Sequence, residues 1–229
     1  MPDTDARLLP EPPVDFHGDT RELLLSIGAA EALPGTGCLA RGSSTVRPKD
    51  AESLGVFLRR YVDEILVPIE LRAVVNAWQF TESGHARELI ELDRALLKDD
   101  RLETFRESSC AVGRRQLSRL RPLREQRVIQ RYWNAMDQGQ AAAWHTLVFG
   151  VMTSVYSIPL RQGIAQLASQ TLGGFALSAA NDYKLRLNDC RKVLSEQVER
   201  LPEAINGLVD EAFANAGPQL LANNSLAVV

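Results

Sequence analysis

From Tyr132 to Ala180 the chain carries one acid, Asp137, and one base, Arg161, in 49 residues. The whole chain is 24% charged, so the rest of the molecule has to shield this run from water. Within it, Trp144, Leu147, Val148, Val151, Met152 and Val155 fall on one stripe at helical spacing. His145, Phe149, Met152 and Tyr156 form a second stripe. A helix apolar on most of its sides belongs at the centre of a fold. The segment that follows bears a row of small residues, Ala165, Ser169, Gly173, Ala176 and Ala180. Two adjacent glycines in a helix, Gly173 and Gly174, cost about 1 kcal/mol each relative to alanine. A close helix crossing or a self-association face would offset that cost.

The uncharged runs 138–160 and 162–181 are long enough to span a bilayer. Their several Gln, Ser and Thr residues, with His145 and Pro159 in the first, would be held in lipid only inside a multi-helix bundle. The expectation is therefore a buried central helix pair in a protein that does not enter the membrane.

Helical periodicity continues outside this region. Leu54, Phe57, Leu58, Tyr61 and Ile65 form an apolar stripe opposite Arg59, Arg60, Asp63 and Glu64, with Asp50 placed to cap the helix. Pro68 suits the first turn of a following helix, Ser83-Gly84 breaks the chain, and residues 85–100 read as another amphipathic helix. No alternating run and no Asn-Gly or Asp-Gly hairpin signal occurs. The fold class is all-α: a single multi-helix bundle over residues 18–216, with a proline-rich disordered lead-in (1–17) and a flexible C-terminal tail (217–229).

A net charge of −3 argues against a nucleic-acid binder as a whole. Cys38, Cys110 and Cys190 cannot make a disulfide framework, and no basic-plus-apolar leader opens the sequence, so a cytoplasmic setting is the expectation. Three histidines (His17, His85, His145) without an H-x-H, H-E-x-x-H or C-x-x-C pattern give a zinc site no support. Glu82 and His85 match half of a di-iron helix motif but straddle the Ser83-Gly84 break. Cys38 has no local histidine to activate it, and no nucleophile elbow or phosphate-binding glycine loop is present. The reading is a non-enzyme without a cofactor; a small helical enzyme using Cys38 or the Glu82–His85 pair is the competing reading.

Residues 101–131 hold nine arginines against three glutamates. Arg114, Arg115, Arg119, Arg121, Arg124, Arg127 and Arg131 lie on a helical stretch interrupted at Pro122. They could form a solvated face, a protein-partner surface or a nucleic-acid module, and no known reading module accompanies them.

The stretch LETFRESSCAVGRRQLSRL, residues 102–120, resembles the R-E-x-S-x-x-x-G-R-R-x-L helix of UreF-type urease accessory proteins. Arg106, Glu107, Ser109, Gly113, Arg114, Arg115 and Leu117 carry the match. ELDRALLKDDRLETF before it and HTLVFGVMTSVYSIPL after it, with His145 and Gly150, are similar to neighbouring family segments. RELLLSIGAAEALPGTG resembles the N-terminal leucine helix and L-P-x-G-G turn, keeping Leu33, Pro34 and Gly37. Cys38 replaces the turn's aromatic, and Thr45 stands about where a glutamate is usual. The later R-L-x-P-L-G-Q-T-D loop is represented by NDYKLRLND, which keeps Leu185 and Asp189 but lacks the proline, glycine and glutamine.

The resemblance implies a non-catalytic homodimer that binds a UreD/UreH-type accessory protein, recruits the GTPase UreG and helps deliver nickel to apo-urease. It also implies partner-binding roles for Gly37, Gly113, Arg114, Arg115, Tyr183, Lys184 and Arg186. Leu220 and Leu221 belong to a C-terminal segment that would become ordered on the UreD/UreH partner. The eroded loops leave a second expectation open, a diverged scaffold for another metalloenzyme or assembly.

Overall fold

A computed structural model of the chain describes residues 48–215, Arg124 apart. The expected lead-in and tail, and with them Gly37, Cys38, Leu220 and Leu221, lie outside the described residues. Those described are mostly helical, joined by turns and short irregular segments, with no strand among them.

Helix α1 (Ala51–Tyr61) begins with a reciprocal cap: Asp50 Oδ1 accepts from the Ser53 N–H at 2.8 Å, and Ser53 Oγ accepts from the Asp50 N–H at 3.1 Å. The chain does not break before Pro68, as the sequence suggested. It runs on through a π-helical stretch, Val62–Leu71, into α2 (Arg72–Glu82). Proline has no N–H to donate, and its ring collides with the carbonyl four residues back in an α-helix. The wider π turn moves that carbonyl away, so a proline that usually starts a helix is carried within one.

Ser83 and Gly84 (φ 74°) then reverse the chain into α3 (Ala86–Lys98). A 3₁₀ turn, Asp100–Phe105, leads to α4 (Arg106–Arg119), and a second one containing Pro122 leads towards α5 (Arg127–Asp137). Residues 141–144 cross the interior without regular structure and deliver the chain to α6 (His145–Val155). Helices α7 (Leu160–Asp182), α8 (Leu187–Val198) and α9 (Leu201–Asn215) complete the bundle.

Helix α6 is buried from His145 to Ser154, and α7 is buried over most of its length, so the charge-poor region forms the centre of the bundle. The two helices touch each other only slightly. Helix α6 packs chiefly against α2 and α4, whereas α7 packs against α8 and α9. Ala165, Ser169, Gly173 and Ala176 of the small-residue row are buried, which places them in the bundle interior. Gly150 marks the α2–α6 crossing: a Cβ there would lie 2.5 Å from the Val74 carbonyl oxygen and 2.8 Å from the Ala77 Cβ. Phe57, Tyr61, Phe105 and Phe175 interlock at centroid distances of 4.8–6.1 Å, joining α1, α7 and the first 3₁₀ turn. Arg72 reaches Glu211 through two hydrogen bonds, 2.9 and 3.0 Å, and ties α9 to α2.

Candidate partner-binding face

The segment 141–144 is fully buried, and an irregular backbone in an apolar core needs acceptors for its N–H groups. Asp93, on the inner face of α3 and wholly buried, supplies them. Its carboxylate accepts from the N–H groups of Ala142 (2.9 Å), Ala143 (3.0 Å) and Trp144 (3.4 Å), and from the Tyr132 hydroxyl (2.7 Å). This constraint holds Ala143 at φ 60°, a conformation an alanine rarely adopts. Burial and the neighbouring Asp93 carboxylate push the Tyr132 phenol well above its usual range, so it remains a donor.

Ser109 of α4 closes the arrangement from the other side. Its Oγ accepts from the His145 N–H at 3.2 Å and lies 2.6 Å from His145 Nδ1. Complete burial lowers the His145 pKa to about 4, so the ring is neutral at pH 7 and needs no counter-charge. His145 is the hydrogen-bonded core histidine that its apolar neighbours suggested.

Helix α4 approaches this segment at Gly113. A Cβ on Gly113 would lie 1.8 Å from the Ala143 carbonyl oxygen and 3.0 Å from the His145 nitrogen, so any larger residue would force the two backbones apart. Gly113, expected in a partner-binding role, is buried, and the crossing demands a residue without a side chain. Arg114 and Arg115 follow directly on the outer side and are exposed. Asp93, Ser109, His145 and Gly113 thus fix the helix that presents the two arginines. The arginine stretch bends at Pro122, where Arg121 lies over the Trp133 ring at 5.9 Å.

The remaining expected residues cluster at the end of α7. Tyr183 is half-buried; Lys184 and Arg186 are exposed, and Lys184 has a φ of 56°. A left-handed residue just after a helix is usually glycine, so this loop makes a left-handed turn without the residue best suited to it. Glu82 accepts from the Ser154 hydroxyl at 2.7 Å and His85 is exposed. Among the described residues, no cluster of three or more His, Cys, Asp or Glu side chains is placed to hold a metal ion. Burial raises the Cys110 thiol to about 11 and also raises Cys190, leaving both as protonated core residues. No helix among the described residues is long and apolar enough to cross a membrane.

Sequence reasoning assigned Asp93 no role. Its signal was an aspartate on the apolar side of an amphipathic helix, in step with Leu89 and Leu96. It also missed Glu70, which is 1% exposed and accepts a hydrogen bond from Tyr61 in the aromatic cluster.

These features define an all-α helical bundle with a buried polar network inside and with Glu107, Arg114 and Arg115 of the motif exposed. The UreF family model matches residues 49–180, more than half of the chain, and the match spans every element of the Asp93–Ser109–His145–Gly113 arrangement. The chain belongs to the UreF family of urease accessory proteins. No curated protein matches it.

Proposed function

We propose that this chain is a non-catalytic scaffold of urease maturation. It bridges a UreD/UreH-type protein and the GTPase UreG, acts as a homodimer in the cytoplasm, and helps deliver nickel, as cargo, to apo-urease. The observation that carries this reading is the pairing of a rigid interior with an exposed motif. The family's R-E-x-S-x-x-x-G-R-R pattern spends Ser109 and Gly113 on fixing α4 and leaves Arg114 and Arg115 exposed at its surface. Arginines on a pre-positioned helix lose little further freedom when a partner's carboxylates engage them.

The test is Arg114→Glu with Arg115→Glu, assayed by co-purification with the UreD/UreH-type protein from the same source. Complex formation should be lost while helicity, measured by circular dichroism, stays at the wild-type level. An intact complex would remove these arginines from the partner surface.

The second reading, a diverged scaffold for another metalloenzyme, is favoured by the α7–α8 loop. There Lys184 holds a left-handed turn and the proline, glycine and glutamine of the family loop are missing. Under that reading the chain would not restore urease activity to cells lacking their own UreF-type protein.

A further inference from the structure

On the outer side of the Asp93 clamp, α3 and α5 run beside each other and leave an open groove of about 460 Å³. One wall carries Arg87, Ile90 and Arg94 at helical spacing; the other carries Arg131, Asn134 and Gln138. From this geometry we propose that the groove is a docking site for a short acidic segment of a protein partner.

Charge is the first argument. Among the described residues Glu91 is the one acid lining the groove, and it is paired with Arg87 at 2.9 Å. Arg94 and Arg131 are therefore in excess. Arg131 is exposed and forms no ion pair among the described residues. Arg94 uses Nε to hold the Gln140 carbonyl oxygen at 2.8 Å, and its Nη2 lies 3.4 Å from Gln140 Oε1, which fixes the guanidinium at the groove's rim.

Rigidity is the second argument. Asp93 and Tyr132, immediate sequence neighbours of Arg94 and Arg131, are joined by a buried hydrogen bond of 2.7 Å. The clamp that orders the core therefore also fixes the spacing of the two arginine-bearing helices, and an incoming carboxylate meets guanidinium groups whose backbones are already in place.

Size and lining decide the kind of ligand. From Arg87 to Arg94 the helix rises about 10 Å, enough for about three residues of extended peptide. Ala86, half-buried Ile90 and Ala135 provide an apolar floor for an aliphatic side chain between acidic ones. Among the described residues no aromatic side chain lines the groove, so it offers no stacking platform for bases. The site is separate from the Arg114–Arg115 face, and the two can fail independently.

The experiment uses the full chain and a fluorescein-labelled, C-terminally amidated pentapeptide of four acidic residues around a central leucine. Binding is followed by fluorescence anisotropy at low salt. The expected result is saturable binding weakened at least tenfold by Arg131→Glu, weakened less by Arg131→Lys, and unchanged by Arg114→Glu with Arg115→Glu. Arg131 is exposed and has no ion pair among the described residues, so Arg131→Glu should leave the fold intact, with circular dichroism as the check. Arg94→Glu should weaken binding similarly, although it also removes the Gln140 contact. Absence of saturable binding would overturn the proposal, as would loss through Arg114 and Arg115 alone. Displacement of the peptide by a single-stranded oligonucleotide that binds more tightly through Arg131 would overturn it in favour of a nucleic-acid site.

Discussion

Replacing Glu70 by glutamine should change how stability depends on pH, in a direction set by two buried groups that oppose each other. Glu70 lies in the π-helical stretch, accepts from the Tyr61 hydroxyl through one oxygen, and has its other oxygen buried without a partner among the described residues. Burial raises its pKa from the ordinary 4.5 to about 7. Between those values the folded protein holds a proton that the unfolded chain has released, so this group's contribution to stability falls as pH rises. A displacement of 2.5 pH units at about 1.4 kcal/mol per unit amounts to about 3–4 kcal/mol. His145 acts in the opposite sense: burial lowers it from 6.5 to about 4, the unfolded chain binds the proton, and stability rises with pH over that window. Between pH 4.5 and 6.5 the two slopes nearly cancel in the wild type.

Urea unfolding followed by circular dichroism at several pH values tests this directly. The stability of Glu70→Gln minus that of wild type should increase by about 3–4 kcal/mol from pH 4.5 to pH 7 and stay level above it. Other carboxyls are common to both proteins and drop out of the difference. A difference that stays flat from pH 4.5 to 8 would refute the reasoning, because it would mean that Glu70 ionises in the folded protein as readily as in the unfolded chain.

The complementary variant, His145→Asn, should gain on wild type by about 3–4 kcal/mol as pH falls from 6.5 to 4, read from the same unfolding curves. Gly113→Ala should destabilise by about 3 kcal/mol or more, since its methyl group would have to displace the Ala143 carbonyl, and a melting temperature within two degrees of wild type would contradict the close approach. Gly150→Ala should cost about 1–3 kcal/mol at the α2–α6 crossing, measured by the shift of the urea midpoint. Asp93→Ala strands three backbone donors and the Tyr132 hydroxyl, so a loss of about 3–5 kcal/mol is expected, with rapid amide exchange at Ala142 and Ala143 as the local signature.

Periodicity and the distribution of charge made the all-α class and the buried centre legible. An apolar stripe around α6 and a charge-poor α7 can satisfy water only from inside a bundle. The family motif was legible as a pattern, but its division of labour was not. Gly113 and Arg114 are adjacent in sequence, yet one meets a backbone carbonyl and the other solvent, and only the three-dimensional crossing separates those roles. Asp93 escaped notice because a single aspartate on an apolar face looks like an interruption until the irregular segment it caps is brought against it. The π-helical passage at Pro68 was hidden for a related reason. Proline normally starts or stops a helix, and its tolerance here depends on a widened turn that sequence spacing does not encode. The α3–α5 groove needed both helices in register before Arg94 and Arg131 could be seen together.

The most direct test of the maturation role is co-expression of the chain with the UreD/UreH-type and UreG-type proteins of its own source. Size-exclusion chromatography with light scattering would follow. The account predicts a co-eluting complex with two copies of each protein, lost when Arg114 and Arg115 are both changed to glutamate. A well-folded chain that elutes apart from both partners would contradict it.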